Sequence, residues 1–96
     1  MRPGEAHPAR VPEDWRARGY SCDVWTDPPG QVWADFVHDV DELVMPLEGA
    51  LELTMQGRTL RPAVGEEVLI PAGVSHTVRN IGRRRNRWYY GYRRQA

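Results

Sequence analysis

The side chains best equipped for chemistry are few: His38, Glu42 and His76, with His7, Cys22 and several aspartates around them. His76 follows a stretch of backbone that has little freedom. Pro71 fixes one backbone angle and Gly73 can take a positive φ. Pro71-Ala72-Gly73 therefore turns the chain between the short apolar strand Val68 to Ile70 and a returning strand, Ser75 to Arg79. An imidazole held just past a rigid turn has its position set by the backbone, which suits a metal ligand. The alternative is a half-buried histidine on a β-hairpin. His38 ends another strand-like run; Asp39-Val40-Asp41 then makes a turn, and Glu42 begins the next strand beside it. Antiparallel neighbours of that kind lie roughly 4.5–5.5 Å apart at Cβ, near enough to share an ion. Alternate side chains of a strand share a face, which groups residues 34, 36 and 38 and sends Asp35 to the solvent side. Asp39 and Asp41 are turn residues by type, or hydrogen-bond partners of His38. Spacing alone does not bring residue 76 to residue 38.

The pattern G-x5-P-x-G-x2-H-x3-N, at Gly65, Pro71, Gly73, His76 and Asn80, resembles the second signature motif of the cupin superfamily. Gly30, His38, Glu42 and Gly49 fit the shorter form of the first motif, with Phe36 where the first histidine of its pair falls. Together the motifs run from Gly30 to Asn80, about half of the 96 residues. The resemblance implies an all-β fold, a cupin-like jelly-roll β-barrel, with His38, Glu42 and His76 meeting at its mouth as the ligands of one divalent metal ion. Two imidazoles and a carboxylate leave coordination positions open: zinc uses such a set with water, and iron(II) uses it for oxygen chemistry. Zinc, iron, manganese and nickel are all compatible with it. Phe36 has two opposed readings. It is an apolar wall that frees a position for substrate or oxygen, or it marks a decayed site whose barrel binds a small molecule without metal. The function implied is a metal-dependent enzyme acting on a small molecule, of oxygenase, isomerase or lyase type. The alternatives are a non-catalytic module that binds or senses a small ligand, and a chiefly structural partner subunit. Small cupins often pair through their sheets, so a homodimer is expected.

Positioning these groups falls to short elements. Residues 1–19 read as an N-terminal arm, Pro-rich and holding His7, followed by a short helix from Pro12 to Gly19. Proline starts that helix, Glu13 and Asp14 occupy its first turn, arginines its last, and glycine stops it; Trp15 is its anchor. Residues 20–96 read as the barrel. Strand-like runs cover Tyr20 to Thr26, Gln31 to His38, Glu42 to Leu47, Ala50 to Met55, Arg58 to Arg61 and Arg87 to Arg93, with turn residues every eight to twelve positions. Asp27-Pro28-Pro29-Gly30 and Gln56-Gly57 are turns, and Pro46 demands an edge or a bulge. Glu48 reads as exposed and Asn80 as a turn-capping residue. Trp88 and Tyr90 share one face of the last strand and Tyr89 the other; one of these faces lines the pocket, where a tyrosine serves as proton donor or clamp.

Composition removes several classes of function. All thirteen basic residues are arginine, so lysine Schiff-base chemistry is excluded. Formal net charge is zero, and Arg83-Arg84-Arg85 reads as a solvated turn rather than a nucleic-acid surface. No apolar run approaches a membrane span, and Met1 to Pro8 lacks a hydrophobic signal region, so no membrane partner and a cytoplasmic location are expected. Cys22, the single cysteine, excludes an internal disulfide and reads as a small core residue.

Overall fold

Short alternating runs punctuated by glycine and proline cannot build long elements. The computed structural model, which describes residues 10–94, accordingly holds one short helix and eight strands. The helix α1 is Val11–Ala17; the strands are β1 (Asp23–Asp27), β2 (Val32–Phe36), β3 (Glu42–Glu48), β4 (Glu52–Met55), β5 (Arg58–Leu60), β6 (Val68–Ile70), β7 (His76–Arg79) and β8 (Asn86–Tyr92). They form two four-stranded antiparallel sheets, ordered β1-β8-β3-β6 and β2-β7-β4-β5. This is the all-β jelly roll that the motifs imply. Residues 1–9, the proposed arm with His7, lie outside the described residues.

Only β4 and β5 pair as a hairpin, through Gln56 and Gly57 at φ 53° and 73°. Every other connection carries the chain from one sheet to the other. Two expectations are corrected by this. The segments around Pro71-Ala72-Gly73 do not form a hairpin: β6 pairs with β3, and β7 pairs with β2 and β4. His38 and Glu42 are not neighbours in one ladder either, because β2 and β3 belong to opposite sheets. Pro46 occupies an interior strand, opposite Trp88, and the ladder shifts register immediately after it. The bulge, not an edge, accommodates the missing N–H.

Two apolar clusters hold the layers together. Val44, Leu51, Leu53, Ile70, Val78 and Trp88 fill the space between the sheets. Val11 and Trp15 of α1 join Tyr20, Cys22, Leu43 and Met45 on the outer face of the first sheet. Trp15 is fully buried; its ring meets Tyr89 edge-on and its indole N–H donates to Glu67, which also accepts a two-pronged contact from Arg18. Gly91 permits this docking, because a Cβ there would collide with the carbonyl oxygen of Ser21 and press on the Trp15 ring. Cys22 is buried as expected, and burial pushes its thiol up to about 11. No helix among the described residues is long and apolar enough to cross a membrane.

Candidate metal centre and its cavity

The two loops that carry the candidate ligands are tied to each other. In the turn before β7, the Gly73 N–H donates to the His38 carbonyl at 2.8 Å and the Ala72 N–H to the Asp41 carboxylate at 2.8 Å. Gly73 takes φ 79°, the conformation expected of it. Asp41 therefore caps this turn and is not a partner of the His38 ring, while Asp39 stays exposed. These two hydrogen bonds set the start of β7 against the loop between β2 and β3.

Residues 38, 42 and 76 consequently meet, His38 and His76 from the second sheet's side and Glu42 from the first. Oε1 of Glu42 lies 3.4 Å from Nε2 of His38 and 3.3 Å from Nε2 of His76, and one ligand atom from each residue falls within 4.8 Å of the others. Glu42 and His76 are each 4% exposed. Nδ1 of His76 stands 3.1 Å from the Val74 carbonyl, which places the proton of the neutral ring on Nδ1 and aims the Nε2 lone pair at Glu42. Oε1 of Glu42 is buried without a hydrogen-bond partner. The His76 lone pair and a carboxylate oxygen facing one point repel unless a cation or a shared proton lies between them, and with Nε2 of His38 beside them the donor set fits a metal ion. The Glu42 carboxylate accordingly raises the His76 pKa above the usual imidazole value, burial opposing it and the Val74 carbonyl assisting.

A cavity of about 250 Å³ opens beside these residues. Its wall is aromatic: Trp25, Trp33, Phe36, Trp88, Tyr90 and Tyr92, with Val78 and the His38, Glu42, His76 trio completing it. Six rings close into a circuit. Centroids are 6.3 Å apart from His38 to Phe36, 6.1 Å to Trp33, 5.9 Å to Trp25, 6.1 Å to Tyr90, 5.9 Å to Tyr92, and 4.8 Å back to His38. Phe36 stands opposite His76 in the β2–β7 ladder and acts as one panel of this wall. The expected grouping of residues 34, 36 and 38 is corrected: the ladder shifts between Trp33 and Phe36, and Asp35 adopts φ 57°. Trp33, rather than the exposed Ala34, joins Phe36 and His38 at the cavity. Trp88 and Tyr90 supply the inner face of β8, and Tyr89 packs outside against Trp15. Tyr92, beside Glu42 in the ladder, has its phenol pushed up to about 12 by burial and then by the Glu42 charge, so it remains a proton donor.

One residue of the site escaped the sequence reading. Asp27, expected as a turn residue, ends β1 and is 2% exposed. Its carboxylate accepts the indole N–H of Trp25 at 2.8 Å, of Trp33 at 3.0 and 3.1 Å, and of Trp88 at 3.3 Å. Its backbone carbonyl accepts from Asn80, whose side chain also caps Arg84 and Gly82, the role expected of it. The three indoles come from three strands, so no local pattern announces their shared acceptor. Glu48 is exposed, with Arg87 at 3.9 Å.

The sequence model of the family described as Cupin domain matches residues 23–92. No curated protein matches the chain significantly. Among solved structures, TT1209 from Thermus thermophilus is 26% identical, with 79% of this chain and 74% of that one covered at TM-score 0.69. The conserved protein SPY1581 from Streptococcus pyogenes is 23% identical over 81% of this chain and 68% of its own, at TM-score 0.71. The Cupin_2 domain of an XRE family transcriptional regulator from Enterobacter cloacae is 18% identical over 85% and 90%, at TM-score 0.73. At identities below 25% the likeness is one of fold.

Proposed function

The chain belongs to the cupin domain family, and from that premise we propose that it is a metal-dependent enzyme acting on a small molecule held in the aromatic cavity. The observation that carries this reading is the orphaned Oε1 of Glu42, buried between two imidazole nitrogens at 3.3 and 3.4 Å. His38, Glu42 and His76 are the ligands. A divalent ion held by these three residues would supply positive charge to polarise a substrate oxygen. Val74 keeps the His76 tautomer fixed, and the Gly73–His38 contact keeps the loops in register. Tyr92 holds its proton at the same end of the cavity and is placed to donate it to a substrate oxygen. Phe36 is a wall and not a lost ligand's remnant, since the circuit of rings is complete only with it.

Elemental analysis of the purified protein, before and after reconstitution with zinc, iron(II), manganese and nickel, tests the reading. One ion per chain is expected, lost in His76→Ala. No stoichiometric ion after reconstitution refutes it. Small oxygenated molecules followed by NMR separate turnover from storage: an enzyme consumes one of them only when metal-loaded, whereas a module that merely binds leaves it unchanged. The chain is further proposed to work as a homodimer, with Val24 and Leu69, exposed on the edge strands of the first sheet, as contact residues. A monomer in sedimentation equilibrium at high concentration refutes that.

A further inference from the structure

The cavity has two unlike ends. His38, Glu42 and His76 form one; Trp25, diametrically opposite His38 in the circuit of six rings, belongs to the other together with Trp33 and Trp88. We propose that this second end is a subsite for a methylated onium group, a quaternary ammonium or a sulfonium. The proposal deepens the reading of the cavity as a small-molecule site and does not depend on the metal.

Charge carries the argument first. Both oxygens of Asp27 accept indole N–H groups, as an ionised carboxylate does. Among the described residues no basic side chain pairs with Asp27, and no arginine lines the cavity. A buried carboxylate, held by three indole N–H groups but with no cation beside it, therefore sits directly behind the tryptophans, and a buried charge is costly unless it is paired as well as hydrogen-bonded. A phosphate or sulfonate guest finds no partner at this end; a cation does.

Ring geometry then selects the kind of cation. Asp27 takes the N–H edges of Trp25, Trp33 and Trp88, so those edges are turned away as donors to a guest. Trp25 meets Trp33 at 74° and Tyr90 at 82°, and Trp88 meets Tyr90 at 60°. Rings set at such angles make a box rather than a stack. A carboxylate on the indole N–H also pushes electron density into the ring, which makes the π-face a better seat for positive charge; tryptophan is already the best of the aromatic residues for this. A primary ammonium ion needs hydrogen-bond acceptors, and the Asp27 oxygens are already taken up by the indoles. An onium ion spreads its charge over methyl groups, needs no acceptor, and gains from aromatic contact on every side.

The test uses a pair of probes matched in shape: choline and its uncharged carbon analogue 3,3-dimethylbutan-1-ol. Binding is read by tryptophan fluorescence and calorimetry, with and without reconstituting metal. Choline is expected to bind at least tenfold more tightly than the alcohol, and methylammonium more weakly than tetramethylammonium. Tetramethylammonium against trimethylsulfonium then distinguishes the two onium sources. Asp27→Asn removes the charge, and at least a tenfold loss of choline affinity is expected. Because that variant also disturbs the hydrogen bonds of three indoles, Trp25→Leu at a 41% exposed wall residue is the second test, again expected to lose at least tenfold. Equal affinity for choline and the alcohol, no choline binding by the native protein, or unchanged affinity in Trp25→Leu overturns the proposal. Metal stoichiometry is read on the same samples: onium binding without metal uptake refutes the metal centre alone, and metal uptake without onium binding refutes the subsite alone.

Discussion

Glu42→Gln separates the cost of the trio from its use. In the metal-free protein with His76 neutral, Oε1 of Glu42 lies buried and unpartnered 3.3 Å from the lone pair of His76 Nε2. A buried polar atom left in that state costs about 1–3 kcal/mol. Glutamine keeps the volume and offers an amide N–H to the same lone pair. The metal-free variant is therefore expected to be more stable than the native chain by about 1 kcal/mol, a rise in Tm of roughly 4–8 °C for a domain of this size. Metal reverses the order. At free metal a hundredfold above Kd, the native protein gains about 2.7 kcal/mol, or roughly 10–20 °C by the same scaling. A neutral amide supplies no charge to the ion, and the variant should lose most of that gain.

The assay is thermal unfolding of both proteins, metal-free and with graded zinc, manganese or nickel, at pH 8. The expected result is a crossing: the variant melts higher without metal and lower with it. A metal-free variant that melts below the native protein refutes the account of the orphaned oxygen. Equal metal-induced shifts in the two proteins refute Glu42 as a ligand.

Acidity gives a second signature, because the His76 pKa is raised in the folded state. Its protonated form stabilises the fold fully below the unfolded value of about 6.5, and that contribution is lost as pH rises through the higher folded value. Metal-free native protein should thus gain stability between pH 8 and pH 6, Glu42→Gln should show a flatter profile, and metal should bind more weakly toward pH 6 as protons compete for Nε2. Glu67 has the opposite sign: Arg18 first of all holds its carboxyl below the usual range, so its contribution is present above about 4.5 and lost as pH falls through the folded value. That pair is partly exposed, and Glu67→Gln should cost only about 1 kcal/mol or less, read by denaturant melts at pH 7. Gly91→Ala should cost more, about 1–3 kcal/mol, and increase hydrogen exchange in α1; unchanged exchange there would show that Gly91 does not govern the docking of the helix. Cys22, buried and with its thiol raised to about 11, should resist alkylation at pH 8 until the protein unfolds.

What the sequence made legible is what local chemistry decides. Pro12, the acids after it and Gly19 bound the helix to within a residue or two of its observed ends. Gln56-Gly57 makes the hairpin its residue types require, and Asn80 caps the turn that follows it. Strand pairing was less legible, because a Pro-Gly turn fixes a reversal of the chain without saying whether the returning strand joins the same sheet. Pro71 to Gly73 thus looked like a hairpin tip, whereas the turn crosses between sheets and is held by Asp41 and the His38 carbonyl, both distant in sequence. Alternation also failed at one point. A non-glycine residue at positive φ, Asp35, moved Trp33 into the place that strict period two gives to Ala34.

Asp27 shows why the wall of the cavity was harder to read than its ligands. The His38, Glu42 and His76 trio carries its spacing within two stretches of chain, so a motif can record it. The aromatic circuit has no such record: Trp25, Trp33 and Trp88 stand on β1, β2 and β8, and they acquire a common purpose only where one carboxylate accepts all three indoles. Seen from the sequence, an aspartate before two prolines is a turn. Once the sheets are packed, the same position is closed to solvent, and its side chain must find donors or bear the full cost of desolvation. The tryptophans satisfy that demand, and in doing so their rings are fixed around the space left for a guest. A single buried carboxylate thereby organises the apolar part of the cavity much as the orphaned oxygen of Glu42 organises the polar part.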